Sequence, residues 1–384
     1  MGKFLLFFTA CIVYNEILEH CVGIPSERWF ILERERNYLI DAIKCLACFG
    51  VVMAHMATKS LGDEFYYIEA ILGRCGVPIF FMISGYFAAK HIKKDPENSG
   101  RWFLKNALRM IWQFLLFSVI IFAFYRLGNL LFHTDDLTLT INKDRIFRLL
   151  VLNEPLFSGV LWYLLAYAYC LLIYAAASHF KKGYRLLALV SPLLLLLYYI
   201  LGRYSILFFQ EELPFYWSRN FLFTAIPMFT LGFVMPELNI KWLTNQNILI
   251  LSIISVLLLF AECMAFYTSL PIGRNNFIFN MPLSFLIVYY ATHQPKITVP
   301  KDNLLAVIGK KYSLYIYGFQ GLAVTLCSRL VMSIVHLDKE TGAFVMAFYH
   351  ISKPICVFLM ALLMAFIYVK IANILKKQIS AARS

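Results

Sequence analysis

Residues 36–55 read RNYLIDAIKCLACFGVVMAH, and this stretch decides the fold because it places ionisable side chains within an otherwise apolar helix. Such side chains are costly in lipid and usually serve a function. Lys44 and His55 are eleven residues apart, so at about 100° per residue they face the same way, at depths that differ by roughly 16 Å. Asp41 lies three residues before Lys44, which predicts an ion pair along one helix face. The stretch therefore predicts a membrane helix with an inward-facing polar stripe.

The composition places the whole chain in a membrane. Of its 384 residues, 61% are hydrophobic and 15% are charged, whereas about a quarter of the residues of a soluble domain are charged. The formal net charge of +13 does not indicate a nucleic-acid partner, because the basic residues lie between apolar spans, as the positive-inside rule predicts. We therefore expect membrane lipids around the chain and no nucleic acid. The nine cysteines lie mostly within apolar runs, and we expect neither a disulfide nor a metal site.

Ten windows of about 20 apolar residues predict an all-α polytopic membrane protein, a single bundle of about ten transmembrane helices. The windows lie near residues 39–58, 66–89, 104–125, 159–179, 186–208, 220–236, 247–269, 276–293, 312–334 and 343–369. Lysines and arginines concentrate on every second connection between the windows, and also before the first window and after the last window. This asymmetry predicts a multi-pass protein of a cell membrane, plasma or bacterial inner, with both termini in the cytoplasm.

We expect one membrane domain at residues 37–370, since no repeat, low-complexity tract or linker divides it. Residues 1–36 are predicted to be a cytoplasmic or interfacial extension, because their apolar run is too short to span a membrane. Residues 371–384 are predicted to be a basic cytoplasmic tail. The longest outer connection, about residues 127–158, is explained equally well as a solvated cap and as a functional loop.

Two motifs resemble the membrane acyltransferase-3 family. The first helix of that family carries a basic residue followed by a histidine, as Lys44 and His55 do here, and the second carries Phe-Phe-x-x-Ser-Gly, matched by FFMISG at residues 80–85. Two further segments are similar to family motifs, LWYL at residues 161–164 and IGKKYSLYIY at residues 308–317. Where many members then have a histidine, this chain has Gln320. The resemblance covers about residues 36–370.

The resemblance implies an integral membrane O-acyltransferase that binds no permanent cofactor. It implies transfer of an acyl group, commonly acetyl from cytoplasmic acyl-coenzyme A, to a hydroxyl of a carbohydrate or lipid-linked glycan at the outer face. The alternative is a transporter or flippase of a glycan or small solute, which would also place charges inside a helical bundle. No pair of interrupted helices in corresponding halves of the chain supports a transporter, and the outer loop is small for a glycan polymerase.

The expected catalytic residues are His55, Arg74 and Asp41. A neutral imidazole within about 3 Å of an alcohol can remove its proton, so His55 is the expected general base. Arg74 lies at a similar depth on the neighbouring helix, where its positive charge would stabilise a developing oxyanion. Asp41 is expected to pair with Lys44.

The expected substrate-binding residues are Lys44, Ser84, Trp162 and Glu262. Lys44 would contact the polyanionic donor, Ser84 lies among small residues that permit close approach, and Trp162 near the outer mouth suits stacking on a sugar. Glu262 has two further interpretations, as a carboxylate that orients His55 or as a structural partner of Arg74, and the structural role is favoured. A cytoplasmic cluster is a candidate site for the donor phosphates, although positive-inside topology alone also explains it. Its members are Lys93, Lys94, Arg101, Lys105 and Arg109.

Overall fold

The structure is a computed structural model that describes residues 36–56, 73–132, 142–267, 277–293, 295–334 and 343–383. Within these ranges the chain is helical and contains no strand, which confirms the predicted all-α class. The predicted extension at residues 1–36 lies outside the described residues, apart from Arg36. The helices are α1 Tyr38–Met56, α2 Gly76–Lys94, α3 Ser99–Phe132, α4 Lys143–Leu152, α5 Trp162–Ala177, α6 Gly183–Leu201, α7 Ser205–Phe209, α8 Ile226–Val234, α9 Asn245–Tyr267, α10 Asn280–His293, α11 Leu304–Lys311, α12 Ser313–Ile334 and α13 Ala343–Arg383.

Six helices of the described chain are long and apolar enough to cross a membrane, so the chain is a membrane protein. The six stretches are Tyr38–His55, Ser99–Gly128, Gly159–Ala177, Gly183–Leu201, Asn245–Ala265 and Ile351–Leu375. The other four predicted spans coincide with α2, α8, α10 and α12, which do not meet the same criterion. The count of about ten spans therefore stays a prediction.

Several predicted boundaries differ from the structure, and three of them change the description of the fold. The predicted fifth span, 186–208, is divided into α6 and α7, because α6 ends before Gly202. The predicted connection at 127–158 contains α4, which begins after Asn142, whose side chain accepts a hydrogen bond from the backbone N–H of Arg145. The last helix continues past residue 369 to Arg383, so the predicted tail is helical over its described part.

Glycines allow α2 to cross α8 with the two backbones in contact. A Cβ atom on Gly85 would lie 2.0 Å from the carbonyl oxygen of Phe229, and one on Gly232 would lie 2.0 Å from that of Met82. No side chain fits between the two helices at this crossing. The close approach that the sequence predicts for the small residues around Ser84 is therefore present at Gly85, and another helix makes it.

The directions of α1, α2 and α5 define two faces of the bundle. Gly76 packs against Ala47 and Gly73 against Ala54, so α1 and α2 are antiparallel. Four residues connect the end of α2 to the start of α3, and the start of α3 packs on the end of α5, because a Cβ atom on Gly100 would lie 2.6 Å from Ser178 Oγ. Helices α2 and α5 therefore end at the same face and are parallel. We call the face at which α1 ends and α2 and α5 begin the His55 face, and the opposite face the Lys44 face.

Candidate active site

An ion network lies at the beginning of α1, on the Lys44 face. The Asp41 carboxylate, with 3% of its side chain exposed, accepts hydrogen bonds from Arg36 Nε at 2.7 Å and from Lys44 Nζ at 3.3 Å. The predicted pair of Asp41 and Lys44 is therefore present. Arg36 is a third member that was not predicted from the sequence, because it precedes the helix and no helical spacing relates it to Asp41. One carboxylate shared by two cations leaves the network positively charged.

Within this network Lys44 is accessible and Asp41 is not. The Lys44 side chain is 21% exposed, and its ammonium lies 5.2 Å from the ring centroid of Phe87 on α2. Helix α11 packs on α1 at Asp41, since a Cβ atom on Gly309 would clash with the backbone carbonyl oxygen of Asp41. The geometry allows Lys44 to reach a ligand, while Asp41 holds its position.

His55 lies at the opposite end of α1 and is exposed. A Cβ atom on Gly73 would lie 3.1 Å from the backbone nitrogen of Ala54. His55 directly follows Ala54 in the chain, and Arg74 directly follows Gly73. The structure therefore places His55 and Arg74 at the same level of the His55 face, as the sequence predicts.

Arg74 is buried beside a second arginine on one aromatic ring. Arg74 is 8% exposed, and its guanidinium carbon lies 6.0 Å from the ring centroid of Phe277. The guanidinium of Arg203, which is 6% exposed, lies 3.7 Å from the same ring. Both arginines can gain cation–π stabilisation from the ring. Arg203 was not predicted, although an arginine at the outer end of a predicted span runs against the positive-inside trend and gives a signal.

Buried polar contacts fix the backbone next to Arg74. The side-chain amide of Asn280 donates to Cys75 Sγ at 3.4 Å, and Ser284 Oγ donates to the carbonyl of Cys75 at 3.4 Å. The other end of the Asn280 amide accepts from the backbone N–H of Phe277 at 2.9 Å. Arg74 is thereby tied to the start of α10, and a preorganised cation is what oxyanion stabilisation requires.

Glu262 caps the segment that leads into α10. Its two carboxylate oxygens accept from the backbone N–H groups of Ile278 at 2.9 Å and Phe279 at 3.3 Å. Carboxylates are favourable there because such N–H groups at a helix start have no partner within the helix. Among the described residues these two backbone groups are its hydrogen-bond donors, in place of the predicted His55 or Arg74, and the cation that acts on it is Arg203. The favoured structural role of Glu262 therefore agrees with the geometry, but its partners differ.

Residues 37–374 match the sequence model of the acyltransferase-3 family, described as an acyltransferase domain. The chain belongs to this family. Comparison with curated proteins and with solved structures finds no match. The matched range contains every candidate residue described above except Arg36. The resemblance read from the sequence motifs is therefore confirmed, and the chain is a membrane acyltransferase.

Three of the motifs typical of the acyltransferase-3 family meet inside the bundle. The Phe81 ring lies 4.5 Å from that of Tyr163, and the Tyr163 ring lies 5.2 Å from that of Tyr317 on α12. The Ser84 hydroxyl lies next to the side chains of Tyr163 and Tyr167. The geometry gives Ser84 a packing role in this aromatic cluster, and its predicted contact with substrate stays a prediction.

The basic cluster of the acyltransferase lies at the corner between α2 and α3, on the Lys44 face. Its exposed members are Lys93, Lys94 and Arg101, and its half-buried members are Lys105 and Arg109. Arg109 interacts electrostatically with Tyr315 of α12. The structure therefore brings the cluster to the same face as Lys44.

A cavity of about 360 Å³ opens on the His55 face, between α4, the start of α5 and the segment before α8. Trp162 lines this cavity but is only 5% exposed. The guanidinium carbon of Arg219 lies 5.1 Å from the ring centroid of Trp162 and 4.4 Å from that of Phe215. Arg219 was not predicted, and it gives the same sequence signal as Arg203. The predicted stacking of a sugar on Trp162 stays a prediction.

Proposed function

We propose that this membrane acyltransferase transfers an acyl group, most simply acetyl, from acyl-coenzyme A to a hydroxyl of an extracytoplasmic carbohydrate or lipid-linked glycan. One observation carries the proposal. His55 and Arg74 lie at the same level of one face, while the cationic network of Lys44 lies at the other end of the same helix. The proposal assigns the Lys44 face to the cytoplasm and the donor, and the His55 face to the outside and the acceptor.

The donor binds at the Lys44 face because coenzyme A is polyanionic and this face concentrates cations. Lys44 is partly exposed beside Phe87, and the basic cluster lies around the nearby α2–α3 corner. Phosphate groups form strong, charge-assisted hydrogen bonds with such side chains. Since Lys44 and His55 are separated by roughly 16 Å along α1, the thioester end of the donor reaches His55 by entering the bundle along this helix.

The reaction follows from the two side chains on the His55 face. The imidazole of His55 accepts the proton of the acceptor hydroxyl as its oxygen attacks the thioester carbonyl carbon. The Arg74 guanidinium stabilises the negative charge on the carbonyl oxygen. The attack forms a tetrahedral intermediate, and its collapse breaks the carbon–sulfur bond. The coenzyme A thiolate leaves and takes up the proton from His55. The products are an ester on the acceptor and free coenzyme A.

The topology that this reaction needs is supported by charge. The basic cluster and the Lys44 network share one face, and basic residues concentrate on the cytoplasmic side of membrane proteins. The same assignment places both termini of the membrane domain in the cytoplasm. The family match gives no support to the transporter alternative.

The test compares acyl transfer with solute uptake in the same membranes. Membranes that contain the protein are incubated with radiolabelled acetyl-coenzyme A, and the label in the glycan fraction is measured before and after treatment with alkaline hydroxylamine, which releases esters and not amides. We expect protein-dependent label that hydroxylamine releases. Sealed vesicles that take up labelled saccharide without any acyl transfer would contradict the proposal and favour a transporter. Mass spectrometry of surface glycans from cells with and without the protein identifies the acceptor.

A further inference from the structure

The cavity on the His55 face has the size and lining of a site for a polar small molecule. Its volume of about 360 Å³ falls in the range of roughly 300–1,000 Å³ that small-molecule sites occupy. Side chains with hydrogen-bonding groups make up much of its wall, which does not suit a lipid tail. These side chains are Arg145, Asn153, Glu154, Ser158, Tyr216 and Arg219.

Asn153 lines this cavity and carries a buried side-chain donor. The residue is 0% exposed and adopts the left-handed conformation that ends α4, with φ of 58°. Its Oδ1 accepts from the backbone N–H of Phe221 at 2.9 Å, which fixes the orientation of the amide. Its Nδ2 finds no acceptor among the described residues. Because a buried donor without an acceptor costs free energy, this amide points to a ligand that accepts its hydrogen bond.

The charges around the cavity favour an anion. Glu154 is the one carboxylate in the described lining, and it is already paired with Arg148 at 3.3 Å. Arg145 and Arg219 also line the cavity, and the Arg219 guanidinium is held against two aromatic rings. A positioned guanidinium is suited to bidentate binding of carboxylate or phosphate.

We propose that this cavity is the acceptor subsite of the acyltransferase and that it takes an anionic saccharide. The carboxylate or phosphate of the saccharide pairs with Arg219, and one of its oxygens accepts a hydrogen bond from Asn153 Nδ2. This inference rests on the proposed function, which brings the acceptor to the His55 face. The cavity opens on that face because it lies at the start of α5, and α5 begins on the same side as α2.

The first experiment measures ligand binding to the purified full-length protein in lipid nanodiscs. Glucuronate, glucose 1-phosphate, glucose and inorganic phosphate are titrated at millimolar concentration, with tryptophan fluorescence and thermal denaturation as readouts. We expect both anionic hexoses to bind, about tenfold more tightly than glucose or inorganic phosphate. A preference between the two identifies carboxylate or phosphate as the anion. Equal binding of glucose, equal binding of inorganic phosphate, or no binding of either anionic hexose would overturn the proposal.

The second experiment changes the donor in Asn153 while it keeps the local structure. Asn153→Asp retains an acceptor for Phe221 N–H and tolerates positive φ, but it replaces the Nδ2 donor by a carboxylate oxygen. We expect binding of the anionic hexose to weaken by about tenfold or more. Asn142→Asp is the matched control, because Asn142 caps the other end of α4, is exposed, and keeps its acceptor for Arg145 N–H. Wild-type affinity in folded Asn153→Asp would overturn the proposal.

Two other variants decide the matter if Asn153→Asp does not fold. Arg219→Gln removes the guanidinium, and Arg126→Gln is its control at an exposed position near the end of α3. Gly159→Leu fills part of the cavity, since a Cβ atom on Gly159 meets no described atom within 4 Å. Both Arg219→Gln and Gly159→Leu should weaken binding, and unchanged affinity in both would count against the site.

Acyl transfer separates this inference from the proposed function. With extracted surface glycan as acceptor, Asn153→Asp should raise the acceptor KM and leave the KM for acetyl-coenzyme A unchanged, whereas His55→Gln should lose transfer and still bind the anionic hexose. Hexose binding without acyl transfer by the wild-type protein would contradict the proposed function and leave the saccharide site in place. Acyl transfer with an unchanged acceptor KM in Asn153→Asp would overturn the subsite alone.

Discussion

Lys44 can be removed without breaking the other ion pair of Asp41. In Lys44→Ala, the Arg36–Asp41 contact at 2.7 Å remains, so we expect a folded protein with a raised KM for acetyl-coenzyme A and an unchanged acceptor KM. Lys44→Arg should retain activity because it keeps the charge. Asp41→Asn should instead lower the denaturation midpoint, because it leaves two cations without their shared carboxylate. Steady-state kinetics with each substrate varied checks this, and an unchanged donor KM in Lys44→Ala would show that the network is only structural.

We expect Glu262 to stabilise the start of α10 and to take no part in proton transfer. Glu262→Ala leaves the half-buried N–H groups of Ile278 and Phe279 without their charged acceptor, so we expect a loss of about 1–3 kcal/mol in the free energy of unfolding. Glu262→Gln keeps one acceptor oxygen and should transfer acyl groups at near wild-type rates. Thermal denaturation and initial rates measure the two effects. A loss of transfer in folded Glu262→Gln would make Glu262 a candidate base.

The pairing of Asp41 with Lys44 could be predicted because helix geometry fixes which side chains lie three residues apart. The partners of Glu262 could not, because they are backbone groups 16 and 17 residues further along the chain. The spacing of side chains along the sequence does not indicate which backbone N–H group a carboxylate binds. Arg36 was missed for a related reason, since it lies outside the helix whose spacing guided the search.

The crossing of α2 and α8 depends on its glycines. Gly85→Ala and Gly232→Ala each place a Cβ atom 2.0 Å from a carbonyl oxygen of the other helix, so the helices must separate. We expect losses of about 1–3 kcal/mol or more in the free energy of unfolding. Gly128→Ala is the control, because among the described atoms its Cβ atom would meet only Arg329 Nη1, at 3.9 Å. Thermal denaturation in detergent compares the three, and equal midpoints would contradict the close crossing.

Hydropathy located the helices better than it located their ends. Windows of apolar residues found α6, but they carried the helix through Gly202, where the structure ends it. The amphipathic helix α4 was missed because its residues are too polar for a membrane window, although Asn142 at its start is a capping signal. The FFMISG motif was recognised, whereas its contact with Tyr163 follows from tertiary packing that one sequence does not show.

At the scale of the whole molecule, the proposed reaction needs the Lys44 face in the cytoplasm. We expect an impermeant maleimide to label Asn142→Cys, before α4, in intact cells, and to label Thr298→Cys, between α10 and α11, only after permeabilisation. Both positions are exposed, and the exposed Cys356 is replaced by serine in the background. The opposite pattern would exchange the donor and acceptor sides.

Composition and charge were enough to predict a helical membrane protein, and two short motifs were enough to predict its family. They could not predict the cavity on the His55 face, because its wall is assembled from segments as far apart as Arg145 and Arg219. The burial of Arg74 and Arg203 on one ring has the same origin. Such sites depend on which helices become neighbours, and hydrophobic periodicity along a single chain does not determine this.

The central claim is that His55 is the general base of acyl transfer to an alcohol. The measurement is the initial rate of acyl transfer from radiolabelled acetyl-coenzyme A in membranes, normalised to folded protein, for the wild type, His55→Ala and His55→Gln. We predict that both variants bind the donor and transfer acyl groups about 10²-fold more slowly or worse, because glutamine keeps a hydrogen bond but accepts no proton. Near wild-type rates in both variants would contradict the account and remove His55 from the mechanism.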